Sequence, residues 1–301
     1  MKVRNIALGA LLAAALIVPS LAHADPVLFP GESTVVTRDR LSDEIVGHGP
    51  DIVFIPGLAS SRETWRSQAM QLKDHYRVHL INLAGFAGEP SRANAKGDVF
   101  VPTAEALDAY LVEQHLAPAT LIGHSLGGTM LLYLAEKHPT DIKKGFIVDA
   151  LPFYGVLMGG PMATSESLKP IADSIRANPQ KMFDEPRYSQ MLKSMVSSDD
   201  HQALVRTWGK ASDPGVSVNA MADDMTLDLR PGLGAITTPL TLIYPDYAPA
   251  GSPKGVSDMM YRGAYASDKT MSFVLATDSL HFIMFDQPAQ LDAALDKFLA
   301  N

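Results

Sequence analysis

Short apolar runs alternate with helical patterns from about Val35 onward in this 301-residue chain, and this alternation limits the folds that it can adopt. Several runs, such as residues 52–55 (Ile-Val-Phe-Ile) and 146–148 (Phe-Ile-Val), are continuous rather than interrupted by polar residues. Continuous runs are typical of strands that are covered on both faces, as in a parallel sheet. The pattern therefore predicts an α/β fold with a mostly parallel central sheet flanked by helices. The predicted strands are residues 34–37, 44–46, 51–55, 77–82, 120–123, 145–149, 240–244 and 270–276.

The helical patterns divide the chain into a core and an inserted segment. Helices are predicted near residues 62–73, 103–115, 126–138 and 288–299. Residues 152–235 contain helical pieces interrupted by prolines and no strand pattern, and the strand rhythm resumes afterwards. We therefore expect one core domain, residues 25–151 and 236–301, with a helical cap (residues 152–235) inserted between two strands of its sheet.

The first residues have the composition of an export signal. Lys2 and Arg4 precede an apolar run over residues 6–18, and Ala22-His23-Ala24 matches the small-x-small pattern of signal peptidase. The run is shorter than the roughly 20 residues that a membrane span needs. We therefore expect residues 1–24 to be a Sec-type signal peptide of a bacterial protein that is periplasmic or secreted. No stable membrane association is expected after cleavage.

Composition excludes several classes of protein. The chain has 25 Lys and Arg against 33 Asp and Glu, a formal net charge of −8, and no basic run, so nucleic acid is not an expected partner. With no cysteine, disulfides, thiolate nucleophiles and cysteine-ligated metals are excluded. No metal-binding or nucleotide-binding fingerprint is present, so we expect no metal and no cofactor. The expected partner is a small-molecule substrate.

The motif that carries chemistry is Gly-His-Ser-Leu-Gly at residues 123–127. A predicted strand precedes it and a predicted helix follows it, which is the context of a nucleophile elbow. In such an elbow Ser125 occupies a strained turn with its hydroxyl exposed, and the flanking glycines relieve crowding. Ser125 is therefore the predicted nucleophile.

A serine hydroxyl needs a base to remove its proton. His281 follows the predicted strand 270–276 after a short loop and precedes the final helix, where the chain order Ser…acid…His puts the base. His124, beside Ser125, is expected to pack against the oxyanion loop instead.

Two aspartates follow strands at positions that suit the acid of a triad, which holds the imidazole in its reactive tautomer. Asp246 comes just after the strand 240–244, and chain order favours it. Asp149, at the end of the strand 145–149, is the alternative.

An oxyanion hole needs two backbone N–H groups aimed at the oxygen that becomes negative in the tetrahedral intermediate. One is expected from Leu126, the residue after the nucleophile. The other is expected from Leu58, in the loop Pro56-Gly57-Leu58 that follows the strand 51–55.

Four segments in this order resemble the α/β-hydrolase superfamily: residues 54–58, 82–88, 123–128 and 279–282. Pro56 stands where members often have the His of a His-Gly pair, Asn82 stands in an Asp position, and Pro245-Asp246 replaces the usual Gly-x-x-Asp. The resemblance implies Ser-His-Asp acyl chemistry through an acyl-enzyme.

These observations predict a cofactor-independent serine hydrolase of carboxylic esters with small to medium apolar groups. An iminopeptidase-like or amidase-like hydrolase would use the same triad, with Glu166, Asp184 or Glu185 receiving a substrate amine. A non-catalytic binding protein on the same fold is the third hypothesis. The pliable side chains that could accept an apolar substrate are the seven methionines of the cap: Met158, Met162, Met182, Met191, Met195, Met221 and Met225.

Overall fold

The computed structural model describes residues 27–300, so the predicted signal peptide lies outside the described residues. Within this part of the chain eight strands form one sheet in the order β1-β2-β4-β3-β5-β6-β7-β8. β1 and β2 are antiparallel to their neighbours, and all other pairs are parallel. The predicted α/β fold is confirmed. The strands are β1 (Thr34–Thr37), β2 (Leu41–Gly47), β3 (Asp51–Ile55), β4 (Arg77–Leu83), β5 (Ala119–His124), β6 (Ile142–Val148), β7 (Leu240–Pro245) and β8 (Met271–Ala276).

The helices cover the sheet and the segment between β6 and β7. The α-helices of the described residues are α1 (Arg66–Leu72), α2 (Phe100–Glu113), α3 (Leu126–Lys137), α4 (Val156–Gly159), α5 (Ser165–Arg176), α6 (Arg187–Met195), α7 (Asp199–Ala211), α8 (Pro214–Thr226), α9 (Val256–Ala264), α10 (Ile283–Asp286) and α11 (Pro288–Ala300). Short 3-10 helices lie at Arg62–Trp65, Arg92–Ala95, Pro179–Phe183, Leu233–Ala235 and Ala248–Ala250. A search of these described residues finds no helix with both the length and the apolar character that crossing a membrane requires.

Both faces of the sheet are covered, which explains the continuous apolar runs. Val53 and Ile55 of β3 belong to one buried cluster with residues of α2 and α3. Ile52 and Phe54 belong to a second cluster with residues of α1 and α11. Because alternate residues of a strand point to opposite faces, a strand between two helical layers is buried at every position, and in β3 both faces are filled by apolar side chains.

β2 begins three residues before the predicted strand 44–46. The prediction was too short because polar side chains are buried in the first half of this strand. Ser42, Asp43 and Glu44 are all 0% exposed. The Glu44 carboxylate accepts the backbone N–H groups of Leu28 and Phe29 at 2.9 and 2.8 Å. Buried polar groups with hydrogen-bond partners are stable inside a sheet, but they hide the strand from a pattern of apolar residues.

The segment between β6 and β7, which we call the cap segment (residues 152–235), is helical as predicted. Its helix α8 begins beside the loop that follows β4. The N–H of Asp213 donates to the carbonyl of Gly85 at 2.7 Å, and the Ala87 N–H donates to the Ser212 hydroxyl at 2.8 Å. These bonds hold the start of α8 over the carboxyl ends of the strands.

The cap methionines do not form a single surface. Met225 is buried in a small core with Phe153 and Leu168, and Met221 packs against that core. Three others are exposed: Met158, Met162 and Met191. Part of the set therefore stabilises the cap segment itself.

Candidate active site

Ser125 occupies a sharp turn between β5 and α3. Its backbone has φ 52° and ψ −122°, a conformation that costs energy for any residue with a Cβ. Its N–H donates to the carbonyl of Val148 at 2.9 Å, which ties the turn to the end of β6. The strand–turn–helix context predicted for the motif is therefore present, with Ser125 partly exposed at the carboxyl edge of the sheet.

The glycines on either side of Ser125 are required by contacts with backbone atoms. A Cβ at position 123 would lie 2.3 Å from the carbonyl oxygen of Gly127, and one at position 127 would lie 2.5 Å from that of Ile55. Backbone atoms in a packed helix or strand cannot move aside as a flexible side chain can. Both positions therefore need glycine for close approach rather than for conformational freedom.

Gly127→Ala is expected to lower the free energy of unfolding by about 1–3 kcal/mol, because the elbow must shift away from β3. The matched control is Gly263→Ala in α9, where a Cβ would have no atom within 4 Å. This control is expected to gain up to about 1 kcal/mol from helix propensity. Urea denaturation of both variants measures the difference, and equal stabilities would contradict the close packing of the elbow.

His281 lies in the loop between β8 and α10, and its side chain reaches the end of β6. Its Nδ1 is 2.6 Å from Oδ2 of Asp149. The His281 ring also lies against the ring of His124, with centroids 4.5 Å apart, which places it beside the elbow. Ser125, His281 and Asp149 therefore converge at the carboxyl ends of β5 and β6.

The acid that meets His281 is Asp149, so the expectation for Asp246 is corrected. Asp246 accepts the N–H groups of Ala248 at 3.0 Å, Asp278 at 3.1 Å and Ser279 at 3.4 Å. It therefore braces the loop that carries His281 and does not touch the imidazole. Asp149 has φ 48°, a left-handed conformation at the end of β6 that chain order alone does not reveal.

His124 packs beside the oxyanion loop, where it was expected. Its Nε2 lies 3.1 Å from the carbonyl oxygen of His281 and must donate to it, which leaves Nδ1 without a hydrogen-bond partner among the described residues. Burial, and then the neighbouring His281, lower the pKa of His124 well below its usual value. A neutral His124 adds no second positive charge next to the imidazole of His281.

The loop predicted to supply an oxyanion donor lies against the elbow. A Cβ on Gly57 would be 3.2 Å from Cβ of Ser125, so residue 57 must be small for the loop to approach. Leu58 follows in this loop, and Leu126 is the first residue of α3. The first N–H groups of a helix have no partner within it and are available to an anion.

Two tyrosines that the sequence analysis did not single out also contact Asp149. The hydroxyl of Tyr247 donates to Oδ2 at 2.7 Å, and the hydroxyl of Tyr261 donates to Oδ1. Their positions in the loop after β7 and on α9 carry no motif, and α9 itself was not predicted. The two tyrosines lie 98 and 112 positions after Asp149 in the sequence, so no local pattern could have indicated that they contact it.

One cluster of metal-ligand types lies outside this site, at the far end of α3 from Ser125. Asp108, His138 and Asp141 have ligand atoms within 4.8 Å of one another. Both imidazole nitrogens of His138 already face carboxylates, Asp108 at 3.2 Å and Glu105 at 3.1 Å. These contacts account for the cluster as a polar network among side chains of the protein itself.

Comparison with known proteins gives one family. The model of the family described as alpha/beta hydrolase fold matches residues 50–247, about two thirds of the chain. Similar proteins include the pimeloyl-(acyl-carrier protein) methyl ester esterase of Aeromonas salmonicida, which is 27% identical over 208 residues, 68% of this chain and 79% of the relative. The 2-succinyl-6-hydroxy-2,4-cyclohexadiene-1-carboxylate synthase of an Enterobacter species is 25% identical over 83% of this chain and 92% of that protein.

Solved structures agree on the fold. A hydrolase from Pseudomonas aeruginosa has a TM-score of 0.73 at 17% identity, covering 91% of this chain and all of that one. The enol-lactonase from Burkholderia xenovorans has a TM-score of 0.71 at 16% identity, covering 89% and 100%. With the sheet order, the elbow and the family match in agreement, the chain belongs to the α/β-hydrolase family.

Proposed function

We propose that this protein is a cofactor-independent serine hydrolase that cleaves carboxylic esters through an acyl-enzyme. The observation that carries the proposal is the 2.6 Å contact between His281 and Asp149 beside the strained turn of Ser125. Acyl transfer needs a nucleophile, a base and an acid that orients the base; here the base and the acid are in contact, and the base lies against His124, the neighbour of Ser125.

In the proposed reaction the Ser125 hydroxyl attacks the ester carbonyl, and Nε2 of His281 takes its proton. Asp149 keeps the remaining proton on Nδ1 and stabilises the imidazolium. The N–H groups of Leu58 and Leu126 stabilise the negative oxygen of the tetrahedral intermediate. His281 then returns the proton to the leaving alcohol, and a water molecule, activated in the same way, releases the acid and restores Ser125.

The substrate class rests on the relatives and on the cap segment. Several similar proteins are named as methyl ester esterases at 22–27% identity, which supports an ester rather than another acyl compound. The proposal of small to medium apolar groups rests on the composition of the cap segment, which contains seven methionines, a residue type that adapts to varied apolar ligands. The composition of residues 1–24 supports the further proposal that the enzyme acts in the periplasm or outside the cell.

The peptide-cleaving alternative finds less support. It needs an acidic side chain free to receive a substrate amine. Glu166 is exposed and pairs with Lys169 at 2.5 Å, and Glu185 is exposed and pairs with Arg206. Asp184 is exposed on the same segment. Carboxylates on the outer surface of the cap segment are poorly suited to select a bound amine.

The purified protein is expected to hydrolyse p-nitrophenyl esters without added metal or cofactor, fastest with short to medium acyl chains. A fluorophosphonate probe should label the peptide that contains Ser125, because this probe traps an activated serine. Mass spectrometry of the labelled protein identifies the residue.

The Ser125→Ala variant is the control, and it should take up no label. Proline p-nitroanilide, a substrate for the peptide-cleaving alternative, should turn over far more slowly than the esters. Label on a different residue, or no turnover of any ester, would contradict the proposal.

A further inference from the structure

The carboxylate of Asp149 is surrounded by three hydrogen-bond donors. Nδ1 of His281 lies 2.6 Å and the Tyr247 hydroxyl 2.7 Å from Oδ2, while the Tyr261 hydroxyl donates to Oδ1. Asp149 itself is only 4% exposed. A buried carboxylate loses the hydrogen bonds of water, and here two phenols replace them.

Each phenol is held by its own part of the fold. Tyr261 is 3% exposed on α9, and its ring stacks on that of Tyr244 with centroids 4.7 Å apart. Tyr247 is fixed in the loop after β7 with φ 55°, and its N–H donates to the carbonyl of Ser279 at 3.1 Å. The carboxylate is thus held by hydroxyls from two elements, α9 and the loop after β7, and neither oxygen can rotate away without losing a donor.

Both phenols stay protonated under any ordinary condition. Burial, and next the negative charge of Asp149, raise the pKa of Tyr247 and of Tyr261 well above the usual value. A phenol that keeps its proton remains a donor to the carboxylate over the whole working pH range.

We propose that Tyr247 and Tyr261 are positioning residues that hold Asp149 in the one orientation that meets Nδ1 of His281. The inference rests on the proposed function for its kinetic consequence, since a fixed acid fixes the tautomer and direction of the base. These tyrosines explain how Asp149, at the end of β6, is held in contact with His281. The carboxylate of Asp246, after β7, accepts hydrogen bonds from backbone N–H groups instead. The phenols also draw negative charge from Asp149, which limits how strongly it holds the imidazolium form.

The test removes one hydroxyl at a time with Tyr261→Phe and Tyr247→Phe. Each variant is expected to lose about 10- to 100-fold in kcat, the equivalent of one hydrogen bond to a charged group, with little change in KM. The acid limb of the pH profile of kcat/KM should move about 0.5–1 pH unit upward, because a carboxylate with fewer donors attracts the imidazolium more strongly. A residue that only supports the fold would lower activity without moving this limb.

The matched control is Tyr265→Phe. Tyr265 is equally buried beside the same helix, but its hydroxyl donates to the carbonyl of Ala150 at 3.0 Å and not to Asp149. It should keep kcat within a few-fold and leave the pH profile in place. Thermal unfolding monitored by circular dichroism shows whether each variant is folded. If one Tyr→Phe variant does not fold, the other still tests the inference.

A readout without turnover separates this inference from the proposed function. The proton between His281 and Asp149 should give a far-downfield resonance in the proton NMR spectrum of the wild type, absent in Asp149→Asn. Tyr261→Phe and Tyr247→Phe should shift or broaden that resonance, and Tyr265→Phe should not. A resonance and a pH profile that do not respond to either tyrosine would overturn the inference, even if the wild type is an active esterase. If the resonance changes in Tyr261→Phe and Tyr247→Phe but the wild type hydrolyses no ester, the positioning role of the tyrosines is supported and the proposed function is rejected.

Discussion

Asp149→Asn is expected to lower kcat for p-nitrophenyl ester hydrolysis by about 10⁴-fold. The asparagine amide can donate to Nδ1 of His281, which then holds its proton on Nε2. An imidazole in that tautomer cannot take the proton of Ser125. The geometry of the site would be almost unchanged, so the loss would report the chemistry of the acid and not its packing.

Asp246→Asn is the comparison, because Asp246 occupies the position after β7 that chain order favours. Its single oxygen can still accept the N–H groups of Ala248 and Ser279, while the Asp278 N–H loses its acceptor, so a loss of less than about tenfold is expected. Steady-state kinetics of both variants with the same ester decide between them. A larger loss in Asp246→Asn would show that the acid of the working enzyme is not the one that contacts His281.

Asp224→Asn is expected to stabilise the protein at pH 8 by on the order of 4 kcal/mol. Asp224 lies on α8 and is 8% exposed, and its Oδ1 has no hydrogen-bond partner among the described residues. Burial raises the pKa of Asp224 to about 7, with a smaller contribution from Asp223 and an opposing one from the hydroxyl of Thr129. Between about pH 4 and pH 7 the folded protein therefore holds a proton that the unfolded chain, with its pKa near 3.8, releases, and ionising Asp224 above pH 7 costs the folded state the same free energy.

The sign of the pH dependence follows from that difference. Below about pH 4 Asp224 is protonated in both the folded and the unfolded protein, so it does not lower the free energy of unfolding. As the pH rises from 4 to 7, the Asp224 carboxyl ionises in the unfolded chain but not in the folded protein, which favours the unfolded state. The wild type therefore loses stability relative to the variant. Above pH 7 the difference is constant. Urea denaturation at pH 4.5, 6 and 8 should therefore show a gap that grows with pH.

Asp223→Asn is the matched control on the neighbouring residue, with the opposite expected effect. The Asp223 carboxylate accepts the N–H groups of Val99 and Phe100 at the start of α2, at 2.6 and 3.0 Å, and pairs with Arg176 at 2.6 Å. Its loss should destabilise the protein at pH 8. A gap between wild type and Asp224→Asn that does not change with pH would contradict the buried, protonated state of Asp224.

Much of the fold could be read from the sequence because its signals are local. The eight strands and the nucleophile turn were predicted from apolar runs and from the glycines around Ser125. His281 was located by its place between the last strand and the last helix. The contacts explain why these signals were reliable: the strands are apolar on both faces because helices cover both, and the glycines are required by backbone atoms 2.3–2.5 Å from the place of a Cβ.

The parts that could not be predicted depend on polar side chains that meet across the sheet. The prediction for β2 was too short because several of its residues are polar. They are buried only because they have hydrogen-bond partners far away in sequence; the Tyr110 hydroxyl, for example, donates to Asp43 at 2.7 Å. α9 and its Tyr261 were not predicted. Chain order favoured Asp246 as the partner of His281, whereas Asp149, after the neighbouring strand, makes that contact.

Local sequence signals were therefore enough to predict the kind of fold, the strand–turn–helix that carries Ser125 and the loop that carries His281. The contact between Asp149 and His281, and the two tyrosines that hold Asp149, emerge only from the folded structure. The reason is physical. Strands and turns follow from burial and backbone sterics over a few residues, whereas a hydrogen bond to His281 depends on the left-handed backbone of Asp149 and on a strand order that brings residue 281 to the end of β6.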